Sequence, residues 1–200
     1  MELKLVGSKI LEYAQTIEPC QRNWDESFVM PDDHIQYIID VCTTVPTKQN
    51  RDYYSLLVIT ERSLINEIFK YTVDAGCNAQ ENTQVRANLL MIWCTNDSIM
   101  ETPRTISMKD VLLSIGISSS AAAMAGAELG YKTGFCACYL NEQTSFLLQD
   151  EGLTPTGDIQ LMLGIGMPNS NYDNRTPVFG DEVRLTKRSR GKKNISVRIR

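Results

Sequence analysis

The sequence predicts one domain of interleaved helices and strands, and three observations predict it. The stretch Ser107–Gly130, SMKDVLLSIGISSSAAAMAGAELG, carries Glu128 as its only charge between Val111 and Leu129, so it reads as a long helix buried on nearly all sides. Two short apolar runs, Asn88–Thr95 (NLLMIWCT) and Gly134–Tyr139 (GFCACY), read as inner strands. The 200 residues are one domain's worth of chain, enough to bury a core without disulfides or structural metal.

The elements follow in order. Leu3, Val6, Ile10, Leu11, Ala14 and Ile17 have the spacing of an amphipathic helix that Pro19 stops. Cys20–Asp25 is polar and irregular. Pro31-Asp32-Asp33 opens a second helix, with proline and two acids in its first turn and Ile35, Ile38, Ile39 and Cys42 as its buried stripe. Val45–Asn50 reads as a turn, Tyr53–Thr60 as a strand, Leu64–Tyr71 as a helix and Asp74–Gln84 as a polar loop. The small residues of SSSAAAMAGA let a second helix approach the central one closely, the same helix of a second subunit included. Gly130 supplies the left-handed residue that ends it. Asn141–Asp150 is a further helix and Ile159–Gly166 a further strand, and residues 167–185 read as loop. Ile195, Val197 and Ile199 alternate with Ser196, Arg198 and Arg200, the pattern of a strand that must dock on a sheet edge, since burial is worth about 1.5–3 kcal/mol per large apolar side chain.

Charge is unevenly placed. Eight of the 20 Lys and Arg fall between Arg184 and Arg200, where there is no acid, leaving twelve against all 24 Asp and Glu in residues 1–183. An acidic body with a basic arm calls for an anion. No apolar run is read as a membrane span, and MELKLVGSKI is not the start of a secretory signal, so the expected compartment is the cytoplasm. The six cysteines lie mostly in apolar segments and are expected as reduced, buried thiols. Cys136 and Cys138, two apart on one strand face, lack a second ligand pair for zinc, so no metal is expected. The single histidine, His34, reads as a surface side chain, and Gly164-x-Gly166 as an incomplete dinucleotide fingerprint.

Several segments, in order, resemble the FMN-dependent nitroreductase family across nearly the whole chain. Pro46-Thr47-Lys48-Gln49-Asn50 is similar to its Pro-Ser-x-x-Asn loop, Ala127-Glu128-Leu129-Gly130 to the end of its interface helix, and Leu163-Gly164-Ile165-Gly166 to its late Leu-Gly strand. The resemblance implies a single FMN-binding domain over residues 1–200 with an α+β, three-layer α/β/α fold. Its sheet would be mixed and mainly antiparallel, and its C-terminal strand exchanged in an obligate homodimer with flavin at the interface.

It also implies a site. Cys20, Gln21 and Arg22 match the end of the family's Arg-x-Ser-x-Arg stretch, which grips phosphate and ribityl oxygens, although Glu18 and Cys20 replace Arg and Ser. Arg188 and Arg190 match its C-terminal basic pair, suited to bidentate phosphate contact. Pro46, Thr47, Lys48 and Asn50 match the loop that reaches the flavin ring, often from the other subunit. There an ammonium near N1 and the C2 carbonyl would stabilise reduced flavin. Ala137 and Cys138 match the positions whose backbone N–H faces flavin N5. The implied activity is ping-pong transfer of hydride from NADH or NADPH through FMN to a nitroaromatic, quinone or similar small acceptor, with neither membrane nor nucleic acid as partner. Two other readings stand beside it: a degenerate flavin-fold binding module whose basic tail touches nucleic acid or an acidic partner, and a relative that dehalogenates or desaturates.

Overall fold

A computed structural model describes residues 9–17, 21–74, 79–96, 107–169, 178–179 and 182–183. Along the chain these form α1 (Lys9–Thr16), α2 (Asp32–Thr44), β1 (Tyr54–Ile59), α3 (Arg62–Lys70), β2 (Val73–Asp74) and β3 (Ala79–Gln80). After them come β4 (Leu89–Thr95), α4 (Met108–Glu128), β5 (Lys132–Cys136), α5 (Asn141–Asp150), β6 (Ile159–Gly166), β7 (Val178–Phe179) and β8 (Glu182–Val183). The expected start of the first helix, Pro19 and the C-terminal strand lie outside the described residues.

The main sheet has the order β1-β4-β6-β5, and among the described residues all three of its pairings are antiparallel, as the mainly antiparallel expectation required. Its centre is β4, buried at every position and feeding two cores by simple alternation. Leu89, Met91 and Trp93 pack with α2 and α4 (Ile38, Cys42, Val111, Ile115, Ala122), together with Leu163 and Ile165 of β6. Leu90, Ile92 and Cys94 pack with α3 and α5 (Leu64, Ile65, Ile68, Leu148) and Met162. The result is three layers, helix–sheet–helix.

One polar relay joins the sheet to both helices of its first face. The indole Nε1 of Trp93 donates to Ser118 Oγ (3.0 Å), and that hydroxyl donates to the Cys42 carbonyl of α2 (2.8 Å). Trp93, Ser118 and Cys42 are fully buried. Small residues on α4 allow this close approach. Gly126, for example, would bring a Cβ to 2.9 Å of the Ile165 side chain.

Within one chain α4 is not covered on nearly all sides. Met108, Leu112, Leu113 and Ile117 are 41–55 % exposed and form one uncovered apolar face. At 21 residues α4 is also long and apolar enough to cross a membrane by length and composition, which the sequence reading overlooked. Its other face is packed into the first core. The polar stretch Asp74–Gln84 runs from the end of β2 through β3, which pairs with it, into a 3-10 turn, Thr83–Val85, and Asn82, Thr83 and Gln84 are buried. Within the expected loop 167–185, β7 pairs with β8. Gly130 has φ +87°, as the helix-stop reading required.

Replacing Ser118 by Ala leaves the Trp93 N–H buried without its acceptor, which costs about 1–3 kcal/mol. Urea denaturation should show that loss in the wild-type background and a smaller one in Trp93→Phe, where the donor is already gone.

Candidate functional site

The floor of the β5–β6 edge is made of glycine. Gly134 of β5 pairs with Gly164 of β6, and both lie under backbone. A Cβ on Gly164 would sit 2.2 Å from the Gln84 carbonyl oxygen, and one on Gly134 2.7 Å from that of Gln21. Gly166 is closed in the same way by Asn88 Oδ1. These glycines serve close packing, and the incomplete dinucleotide fingerprint has no further meaning here. Asn88 also ties loops together, its amide donating to the carbonyls of Asp25 and Phe28 and accepting from Met167 N–H.

Gln21 and Arg22 are brought to the start of β5. Gln21 N–H donates to the Thr133 carbonyl (3.1 Å), and its side-chain Nε2 donates to Asn23 O (2.5 Å). Gln21 is fully buried, and its Oε1 has no hydrogen-bond partner among the described residues. Arg22 is half-buried beside it. The segment then crosses to β6, where Trp24 bridges Pro168 and its indole donates to Thr83 O (2.8 Å). Glu18, Cys20, Arg188 and Arg190 lie outside the described residues.

Pro46, Thr47, Lys48 and Asn50 form the approach to β1. Thr47 Oγ1 donates to Arg51 O (2.7 Å) and Asn50 N–H to Thr47 O (3.1 Å). Lys48–Asn50 is a 3-10 turn in which Gln49 and Asn50 hold φ of 59° and 53°. Consecutive left-handed residues without glycine are costly, and such outliers concentrate at ligand sites. Lys48 Nζ reaches across to the first turn of α4 and meets Asp110 Oδ2 at 2.7 Å. The sequence reading missed Asp110 altogether: nothing in the sequence connects an acid to a lysine 62 positions earlier.

Ala137 and Cys138 lie past the end of β5, which stops at Cys136 opposite Met162. Gly134–Tyr139 was expected as one strand, with both cysteines on one face. Instead Cys138 leaves the ladder: its carbonyl accepts from Val73 N–H (2.8 Å), and Leu140 N–H donates to Tyr71 O (2.8 Å). Ala137 is exposed and Cys138 half-buried. Cys136 is buried, accepting from Asn82 Nδ2 at 3.4 Å. Burial pushes Cys42 up to about 11 and Cys94 to about 12, so both stay protonated at neutral pH. His34 is not a free surface side chain. Its Nδ1 lies 2.6 Å from Tyr131 OH, edge-on to that ring.

The register places these groups relative to one another. From Thr133, where Gln21 is anchored, to Ala137 is four residues, roughly 13 Å along an extended strand. The Lys48 loop enters β1 and Ala137 leaves β5 at the same end of the sheet, since Tyr54 pairs with Thr95, Cys94 with Ile159 and Cys136 with Met162. Those two strands are opposite edges of the sheet, three spacings of about 4.8 Å apart, or roughly 14 Å.

Three layers around an antiparallel β1-β4-β6-β5 sheet, with a long small-residue helix behind it, define an α+β fold of the nitroreductase type. No protein-family model and no curated protein matches the chain. Solved structures do match. A nitroreductase family protein from Clostridium novyi NT superposes with a TM-score of 0.66 at 15 % identity, over 81 % of this chain and 86 % of that one. A candidate nitroreductase in complex with FMN from Desulfovibrio desulfuricans gives 0.65 at 15 %, over 83 % and 90 %. A candidate NADH dehydrogenase/NAD(P)H nitroreductase from Bacteroides thetaiotaomicron gives 0.61 at 13 %, over 84 % and 95 %. The chain therefore has the nitroreductase fold that the sequence resemblance implied.

The Lys48–Asp110 pair has a defined pH window. The hydrogen bond from Lys48 is the largest effect holding Asp110 below its ordinary 3.8, and the same bond holds Lys48 above its ordinary 10.5. Asp110 contributes stability above its unfolded pKa and loses it as pH falls through the depressed folded value. Lys48 contributes below its unfolded pKa and loses it as pH rises through the raised folded value. The pair is thus at full strength between about pH 4 and pH 10. A carboxyl-detected NMR titration should place Asp110 below 3.8 and move it toward that value in Lys48→Met.

Proposed function

We propose that this protein is an FMN-dependent oxidoreductase that takes hydride from NADH or NADPH and passes it to a small oxidised acceptor, a nitroaromatic or a quinone. What carries the reading is the near end-to-end likeness of fold to a protein solved with FMN. The residues fit the cofactor. Among the described residues an orphaned, buried acceptor (Gln21 Oε1) and a half-buried guanidinium (Arg22) stand at one end of β5, and a small, exposed residue, Ala137, stands past the other, roughly 13 Å along the strand.

Bound FMN supplies a reversible hydride acceptor at N5, which lets donor and acceptor react in turn at one place. Arg22, with Arg188 and Arg190 of the basic arm, would hold the phosphate through charge-assisted hydrogen bonds. The backbone N–H groups of Ala137 and Cys138 would face the ring, and the small side chain at 137 would leave room for a reactant. Lys48 and Thr47 approach from the opposite sheet edge. A flavin's N1 and N5 lie a few bonds apart in one fused ring system, whereas the strands that these two segments adjoin are opposite edges of the sheet, roughly 14 Å apart. The loop therefore serves the flavin of a second copy, and two chains associate through the uncovered face of α4, where Leu112, Leu113 and Ile117 await burial.

Two outcomes test this. Purified protein should be yellow or become so with added FMN, and should bleach anaerobically with NADH or NADPH. Arg22→Ala should weaken FMN binding about 10- to 100-fold, the loss of one or two charge-assisted bonds. A colourless protein that ignores FMN and binds a polyanion in a salt-sensitive way would favour the binding-module alternative. Separately, Leu113→Asp should turn a dimer into a monomer in analytical ultracentrifugation, and a monomeric wild type would contradict the shared site.

A further inference from the structure

Lys48 is the cation that the proposed site offers to the ring, yet it is already engaged. Its ammonium lies 2.7 Å from Asp110 Oδ2, and the carboxylate is the better anchored of the two, with side chains 14 % exposed for Asp110 and 57 % for Lys48. Asp110 sits in the first turn of α4, where the helix dipole favours a negative charge. Its N–H donates to Ser107 O (2.8 Å), and its carbonyl accepts from Ser114 Oγ (2.9 Å). On the other side, the left-handed turn at Gln49 and Asn50 and the Thr47–Arg51 hydrogen bond fix the backbone that carries Lys48.

We propose that Asp110 is a positioning residue of the flavin site: it fixes the Lys48 ammonium and balances its charge, so that the ring meets a neutral pair and bound FMN keeps a low reduction potential. This rests on the FMN reading above. An unopposed ammonium beside N1 and the C2 carbonyl favours the reduced, anionic ring over the oxidised, neutral one. A carboxylate in contact with it leaves a dipole, whose field falls off faster with distance than that of a net charge. The site is therefore set to give up electrons readily to its acceptor. Removing either charge exposes the other, and the two removals act in opposite directions.

The test is a charge cycle read on the cofactor itself. Wild type, Asp110→Asn, Lys48→Met and the double variant are titrated with FMN, and the potential of the bound flavin is measured at pH 7 against reference dyes. In Asp110→Asn the ratio of reduced to oxidised FMN affinity should rise about tenfold, which is about 30 mV for a two-electron couple. In Lys48→Met the ratio should fall by about the same factor. The double variant, with neither charge, should return to within about threefold of wild type. A purely structural role would weaken both oxidation states alike and leave the ratio unmoved. Single variants that shift in the same direction, or that bind FMN with unchanged potentials, overturn the inference while leaving the FMN reading intact. A wild type that takes up no FMN removes both.

Discussion

The separation of the helical layer from the sheet is set by a buried hydroxyl. Ser118 accepts from the indole of Trp93 and donates to the last turns of α2 at Cys42, and a buried network of this kind is stable only when every member is satisfied. It therefore dictates small residues around it on α4, because a bulkier neighbour would lift the helix out of hydrogen-bond range. It also fixes the rotation of α4 about its axis. With Ser118, Ala122 and Ala125 turned to the core, Leu112, Leu113 and Ile117 must turn outward, and Asp110 meets the Lys48 turn.

Elements bounded by strong local signals could be read from the sequence. Asn141–Asp150 and Ile159–Gly166 fall where the pattern put them, because glycine and proline isolate them from their neighbours. The uniformly apolar NLLMIWCT identified the central strand, since only a strand with helices on both faces buries every side chain. Long-range partners could not be read. Where β5 ends depends on its pairing with Met162 and on the capture of Cys138 by Val73, neither of which local pattern encodes. The Asp74–Gln84 stretch looked like solvated loop because its residues are polar. Asn82 and Gln84 instead satisfy one another internally, with Asn82 Nδ2 donating to Gln84 Oε1 at 2.9 Å, so polarity gave no hint of burial.

The same distinction runs through the site. Arg22, Lys48, Ala137 and Cys138 were singled out only because short motifs stand in a familiar order, and the structure puts the first near the start of β5 and the last two at its end. The acid that partners Lys48 belongs to no motif. Its contact with Lys48 spans 62 residues, and the uncovered face of α4 was hidden for a related reason: a largely apolar helix has the same sequence whether its neighbours come from its own chain or from another.

Charge pair and apolar face are also neighbours on one helix. Asp110 lies between Met108 and Leu112, both more than 40 % exposed, so the Lys48–Asp110 contact borders the surface that a second copy would cover. In an isolated chain that pair is in reach of water and salt, and its influence on anything nearby is screened within a Debye length, about 8 Å at physiological ionic strength. A copy docked on Leu112, Leu113 and Ile117 excludes solvent from the same end of the helix, and the lower dielectric strengthens each interaction the pair makes. Association and cofactor electrostatics would then be linked through one turn of α4, and the potential of the flavin would depend on the state of the interface as well as on the residues that touch the ring.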